Sequence, residues 1–178
     1  MMVSSINKTI EAILDEIDTI QVPIIMPNSG ENKRWNQNIP SEPGWYWIKT
    51  NAKISTLIEI KYKQGKHTNI SETIEKTSIL HELELAITQS ANEDYVVYNG
   101  EAHNLKARAR EHFQGHRVTY CLGISDHKSL LNYNWTFYYV PVSKCKTIPE
   151  KYSEDTVLRI AVVQAWRAKH GWPILCRK

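Results

Sequence analysis

Apolar and polar residues recur along this chain with two periods, and the change from one to the other outlines the elements. Ile6, Ile10, Ile13, Leu14 and Ile17 fall on one helical face, with Ser4 or Ser5 as cap and most of the charges off the stripe, which predicts an N-terminal helix. "VPIIMP" ends it and begins an extended passage, and residues 27–43, rich in Pro, Asn and Ser, read as a long loop. "GWYWIKT" and "KISTLIEIKY" read as two strands joined at Asn51-Ala52, the second alternating through Ile54, Thr56, Ile58, Ile60 and Tyr62. Residues 70–90 read as a helix with Ile79, Leu80, Leu83 and Ile87 on its apolar face. "DYVVYNG" is a short apolar strand, and "NLKARAREHF" a helix capped by Asn104. "RVTYCLGI" and "WTFYYVPV" read as two more strands. "SEDTVLRIAVVQAWRAKHG" is the last helix, capped by Ser153, with Ile160, Ala161, Gln164 and Ala168 on a face assigned to the core.

Helices lying between strands point to an α+β fold, a small antiparallel or mixed sheet flanked by helices. The length of 178 residues suits a single domain, and a 42% hydrophobic composition suffices for a core. Cys121, Cys145 and Cys176 are far apart with no CxxC pair, which predicts reduced thiols rather than a zinc site or a disulfide framework. The charged N-terminus lacks a signal-peptide core, and no apolar run is long enough to span a membrane. The expected location is cytoplasmic.

The net charge of +3 is small, so any anionic partner must be met by local clusters. Lys106, Arg110 and Arg117 form one such cluster, Arg167 and Lys169 near the C-terminus another, and Lys33 and Arg34 in the polar loop a third. Each is a candidate contact to a nucleic-acid backbone, and each also suits a solvated surface. Arg108 and His112 share a helix face at i,i+4, one turn beyond Tyr98. A phenol that relays a proton, a guanidinium that holds a phosphate oxygen and an imidazole that orients or protonates are suited to phosphodiester cleavage.

At these residues the chain resembles the GIY-YIG nucleases. "GWYWI" is similar to the first half-motif, with Tyr46 as its tyrosine, and "YNG" to the second, with Tyr98. "EAHNLKARAREH" resembles the turn and helix that follow, which makes Arg108 the expected catalytic arginine and His112 its neighbour. "PILC" resembles the closing Pro-x-x-Asn. The resemblance covers roughly residues 43–50 and 95–178, leaving 1–43 as an N-terminal extension and 53–94 as an insertion between the half-motifs. Glu101 stands where a lysine often follows the second motif, and Cys176 where asparagine is common. Gln164 stands where the metal-binding glutamate belongs. An amide there suits three origins: an engineered Glu→Gln change of the kind used to trap a complex, a natural loss of activity, or ordinary polar packing. A buried amide would need a polar partner, and it is a poor ligand for a hard cation.

The resemblance implies a Mg²⁺-dependent endonuclease that cuts double-stranded DNA, of stand-alone restriction-enzyme type, acting as a homodimer because one site cuts one strand. Tyr46, Tyr98, Arg108, His112 and residue 164 would form its site, with weak or absent cleavage and retained binding while residue 164 is glutamine. The alternative expectation is a DNA-binding protein on the same scaffold without catalysis.

Overall fold

Trp45, Tyr46, Trp47 and Ile48 send apolar side chains alternately to both sides of one strand, so that strand belongs at the centre of a sheet covered on both faces. The structure, a computed structural model, describes residues 2–28, 34–61, 68–89 and 93–177. Four strands, β1 (Val22–Ile25), β2 (Gly44–Thr50), β3 (Tyr95–Ala102) and β4 (Trp135–Pro141), form one sheet in the order β1-β4-β2-β3. Every pairing is antiparallel. Among the described residues five α-helices flank it: α1 (Met2–Ile20), α2 (Ile54–Ile58), α3 (Ile70–Glu82), α4 (Leu105–Gln114) and α5 (Thr156–His170). The fold is α+β, as the pattern predicts.

The period of two along β2 divides the interior into two layers. Trp45 and Trp47 pack with Ile13, Leu14 and Ile17 of α1 and with Val162, Val163 and Trp166 of α5. Tyr46 and Ile48 face the other way, onto Leu57 of α2, Ile70 and Ile74 of α3, and Leu105, Ala109 and Phe113 of α4. The helices carrying Arg108 and Gln164 therefore cover opposite faces of the sheet.

Several elements differ from their expectation, each for a reason visible in the packing. The second strand expected at 53–62 is absent from its described part. Both edges of β2 are already paired, so Ile54–Ile58 coil into a helical turn that buries Leu57 and, just beyond it, Ile60. Tyr62 and Lys33 lie outside the described residues. α3 ends at Glu82 and buries Ile70, Thr73, Ile74 and Thr77, leaving Ile79 and Leu83 exposed. Threonine tolerates that buried face because Thr73 Oγ1 donates to the Asn69 carbonyl and Thr77 Oγ1 to the Thr73 and Ile174 carbonyls. "RVTYCLGI" forms no strand; Cys121, Leu122 and Ile124 anchor an irregular passage while Val118 points outward. Part of the outer edge of β3 is met instead by the C-terminal segment, where Leu175 N donates to the Val97 carbonyl.

Helix starts follow local chemistry. Asn104 caps α4 by accepting from Ala107 N at 2.8 Å, as expected. α5 is capped by Asp155, not Ser153, because a 3-10 turn at Glu150–Tyr152 moves its start along the chain. α1 begins before Ser4 and Ser5, so neither serine is its cap.

One carboxylate fastens α1 to the turn after β4. Glu16 accepts from Lys146 N at 2.7 Å, Thr147 N at 2.9 Å and the Cys145 thiol at 3.0 Å. Burial pulls the Glu16 pKa upward, but these donors outweigh it and carry it down to about 2. A carboxylate with a depressed folded pKa stabilises the fold above its unfolded pKa, and that contribution fades as pH falls from the ordinary carboxylate range toward about 2. Glu16→Gln is expected to cost about 1 kcal/mol at neutral pH in urea unfolding, discounted for the part-exposed setting. The gap between the two proteins closes as pH is lowered through that window.

Candidate functional site

The local geometry around Tyr46 starts with a glycine. Tyr46 pairs with Gly100 across β2 and β3, and a Cβ on Gly100 would lie 2.7 Å from the Tyr46 hydroxyl oxygen. With that space open, the Tyr46 ring lies between Phe137 and Tyr98, with ring centroids 5.3 and 6.1 Å away and planes 11° from parallel in both cases. α4 begins at Leu105, so Arg108 and His112 project from successive turns toward this ring. Arg108 Nε donates to the Tyr46 oxygen at 2.9 Å, and His112 Nε2 lies 3.1 Å from it. Arg108 Nη2 reaches the Tyr98 hydroxyl at 3.4 Å. The structure thus brings together four of the five residues expected in the site.

Arg108 has further partners within the protein. Nη1 donates to Glu111 Oε2 at 3.0 Å and Nη2 to the Tyr120 carbonyl. Beyond them lies an open pocket of about 520 Å³, lined by Tyr98, Glu101, His103, Arg108, Glu111 and Tyr120 among others. Tyr46 and His112 sit behind it, almost without solvent access.

Burial decides the protonation states. It raises the Tyr46 pKa, against the pull of Arg108, and raises that of Tyr98 well above a phenol's ordinary value. Burial works against the Arg108 charge, but Tyr46, Tyr98 and Glu111 outweigh it, so the guanidinium holds its proton more firmly than usual. Burial, seconded by Arg108, pushes the His112 pKa well below that of a free imidazole. The cluster is therefore one cation, two neutral phenols and a neutral imidazole whose Nδ1 has no hydrogen-bond partner among the described residues.

Residue 164 does not join the cluster. Gln164 is exposed, as are Ile160, Ala161 and Ala168, so the face assigned to the core is the solvent face of α5. It lines a separate groove with Glu84, Leu85, Arg167 and Trp172. The reason is that two arginines take the inner face. Arg159 is buried against Glu101 at 2.9 Å. Arg167 is buried against Asn99, with Nε 2.8 Å from Oδ1, and its guanidinium lies over the Trp172 ring. An exposed neutral amide does not fit a divalent ion. The carboxylates nearer the tyrosines, Glu101 and Glu111, are each paired with an arginine. Among the described residues no three His, Cys, Asp or Glu side chains converge as a metal site.

The residues expected to touch a nucleic-acid backbone are dispersed. Arg34, Arg110 and Arg117 are exposed. Lys106 is half-buried, with Nζ donating to the Gln37 carbonyl at 3.1 Å. Arg167 points into the protein, because Asn99 supplies the acceptor that its burial requires. Lys169 pairs with Asp15 at 2.9 Å and Asp18 at 3.5 Å, bridging α5 to α1. Two partners of the cluster were not expected from the sequence: Gly100, legible only once its register with Tyr46 is known, and the Tyr120 carbonyl, for which no side-chain pattern exists.

Comparison with known proteins finds no match to this chain among family models, curated proteins or solved structures.

Gly100→Ala should displace the Tyr46 ring and lower stability by about 1–3 kcal/mol in denaturant unfolding, the range for overpacking a tight site. The His112 ring resonances should hold constant as pH is lowered from about 8 to about 6, where a free imidazole titrates. Because the folded imidazole resists protonation and the unfolded one accepts it, stability contributed by neutral His112 is lost as pH falls through about 6.5.

Proposed function

We propose that the chain is a phosphodiester-cleaving enzyme that acts on DNA in the manner of the GIY-YIG nucleases it resembles, with Tyr46, Tyr98, Arg108 and His112 as its reactive group. The observation that carries this reading is the convergence of those four side chains, from two strands and one helix, around a single buried hydroxyl beside an open pocket. Arg108 meets the pocket with a charge that does not titrate, so it would hold a non-bridging phosphate oxygen and stabilise the added charge of the transition state. To do so it exchanges its bond to Glu111 or to the Tyr120 carbonyl for the phosphate. Tyr46, kept neutral by burial, suits proton relay better than action as a phenolate. His112 Nε2 beside it, a neutral imidazole that resists protonation, holds the Tyr46 hydroxyl in place, and Tyr98 at the pocket wall orients water and phosphate. No step is assigned to residue 164 or to a bound metal.

A second reading, a DNA-binding protein that does not cleave, is favoured by one observation. Each nitrogen of Arg108 already has a partner within the protein. Incubation of plasmid DNA and Mg²⁺ with the protein, with Arg108→Ala and with Gln164→Glu separates the readings. The enzyme reading expects nicking that falls by about 100-fold or more in Arg108→Ala and changes little in Gln164→Glu. A gel shift without nicking by any of the three supports the binding protein, and neither shift nor nicking removes both. Cleavage by Gln164→Glu alone would place residue 164 in the site, against its outward position.

A further inference from the structure

The loop after α4 holds an aromatic ring at the mouth of the Arg108 pocket. Gly115 ends the helix with φ of 79°, and the chain turns back along it. The base of the loop is fixed. Thr119 Oγ1 donates to Glu111 at 3.0 Å, His116 N donates to the Cys121 sulfur at 3.0 Å, and the Tyr120 carbonyl accepts from Arg108. Its tip is nevertheless open, with Val118 86% and Tyr120 64% exposed. The Arg177 guanidinium lies 5.2 Å from the Tyr120 ring centroid. Arg177 is itself held by Thr73 Oγ1 at 3.2 Å and by Glu72 at 4.0 Å. One face of the ring is thus backed by an anchored cation, and its high exposure leaves the other face to solvent.

A flat ring of this kind can stack with a nucleobase, but only one whose own face is free. Bases inside a continuous duplex have both faces covered by their neighbours. The backing arginine strengthens the arrangement, since it fixes the ring and adds positive charge beside an anionic strand. Arg117, exposed next to Val118, adds to that charge. Because the Tyr120 carbonyl touches Arg108, a phosphate drawn to Arg108 lies within about one nucleotide of the ring, given a ~6–7 Å reach of a tyrosine side chain from its backbone.

We propose that Tyr120, backed by Arg177, is a stacking platform for one unpaired base, so that the strand entering the Arg108 pocket carries an unstacked nucleotide. The substrate class is therefore single-stranded DNA, or duplex DNA with an unpaired or extruded base, in preference to an undisturbed duplex. This rests on the nucleic-acid reading above and narrows it.

The test uses the full-length protein and 2-aminopurine-labelled oligonucleotides in three forms: single-stranded, fully paired, and paired except for one mismatch. Binding is read by anisotropy and stacking by quenching of the 2-aminopurine. The wild-type protein should bind the single-stranded and mismatched forms more tightly than the paired one and quench the unpaired probe. Tyr120→Ala should weaken binding to those two forms by about tenfold and abolish the quenching, while Tyr120→Phe preserves both. Arg177→Ala should weaken binding severalfold with quenching reduced but present. If the wild type binds DNA but Tyr120→Ala binds all three forms as well as the wild type does, or the paired form is preferred, the platform is overturned while the nucleic-acid reading stands. If the wild type binds none of the three, both fall. Because Tyr120 is exposed, an unchanged melting temperature for Tyr120→Ala is expected, and Tyr120→Phe controls for any loss of fold.

Discussion

The hydrogen bond from Arg108 Nε to the Tyr46 hydroxyl joins the central strand to α4, and much of the architecture serves to keep it. A phenol and a guanidinium buried without partners would each cost several kcal/mol, and this bond satisfies part of both. Three features arrange the meeting. The alternation of β2 turns Tyr46 toward α4 while its tryptophan neighbours turn away. The absence of a side chain on Gly100 leaves room for the ring. The Asn104 cap starts α4 so that Arg108 comes one turn in and His112 one turn later. Change any of the three and the pair is misplaced or loses a partner.

The same need for acceptors governs the rest of the molecule through β3. Three residues within its Tyr98–Glu101 stretch each serve a different buried or half-buried arginine. The Tyr98 hydroxyl accepts from Arg108, Asn99 Oδ1 from Arg167, and the Glu101 carboxylate from Arg159. Arg108 belongs to α4, on one side of the sheet, and the other two to α5, on the opposite side. One edge strand therefore sets the seating of both helices. Cys176 adds to this clasp, since its sulfur accepts from Asn99 N at 3.3 Å and lies beside the Asn99 carbonyl. The C-terminal segment is thus held along the strand that positions the candidate site.

Elements whose pattern had one physical solution were legible in the sequence. The cap at Asn104 and the helix behind it, the central strand and the apolar strand at "WTFYY" needed only local chemistry and the period of their side chains. So did the grouping of Tyr98, Arg108 and His112. The parts that were not legible depend on what is already paired. Ile54, Thr56 and Ile58 alternate as a strand would, but no free edge of β2 remained for them. The apolar face expected on α3 gave way to a threonine face because threonine hydroxyls can bond the backbone of their own helix. In α5 the apolar pattern assigned Ile160 to the core and left Arg159 and Arg167 outside, the reverse of what β3 imposes by offering acceptors.

That reversal also changes what an amide at residue 164 means. On a buried face, Gln164 would be an unpaired polar group in want of a role, and the loss of a carboxylate there would be a chemical event. On a solvated face it meets water, costs nothing to leave unpartnered, and is as ordinary as the alanines beside it. What limits the candidate site is instead the state of Arg108. Its guanidinium is already bonded to Glu111 and to the Tyr120 carbonyl, so any ligand acceptor competes with the protein's own acceptors.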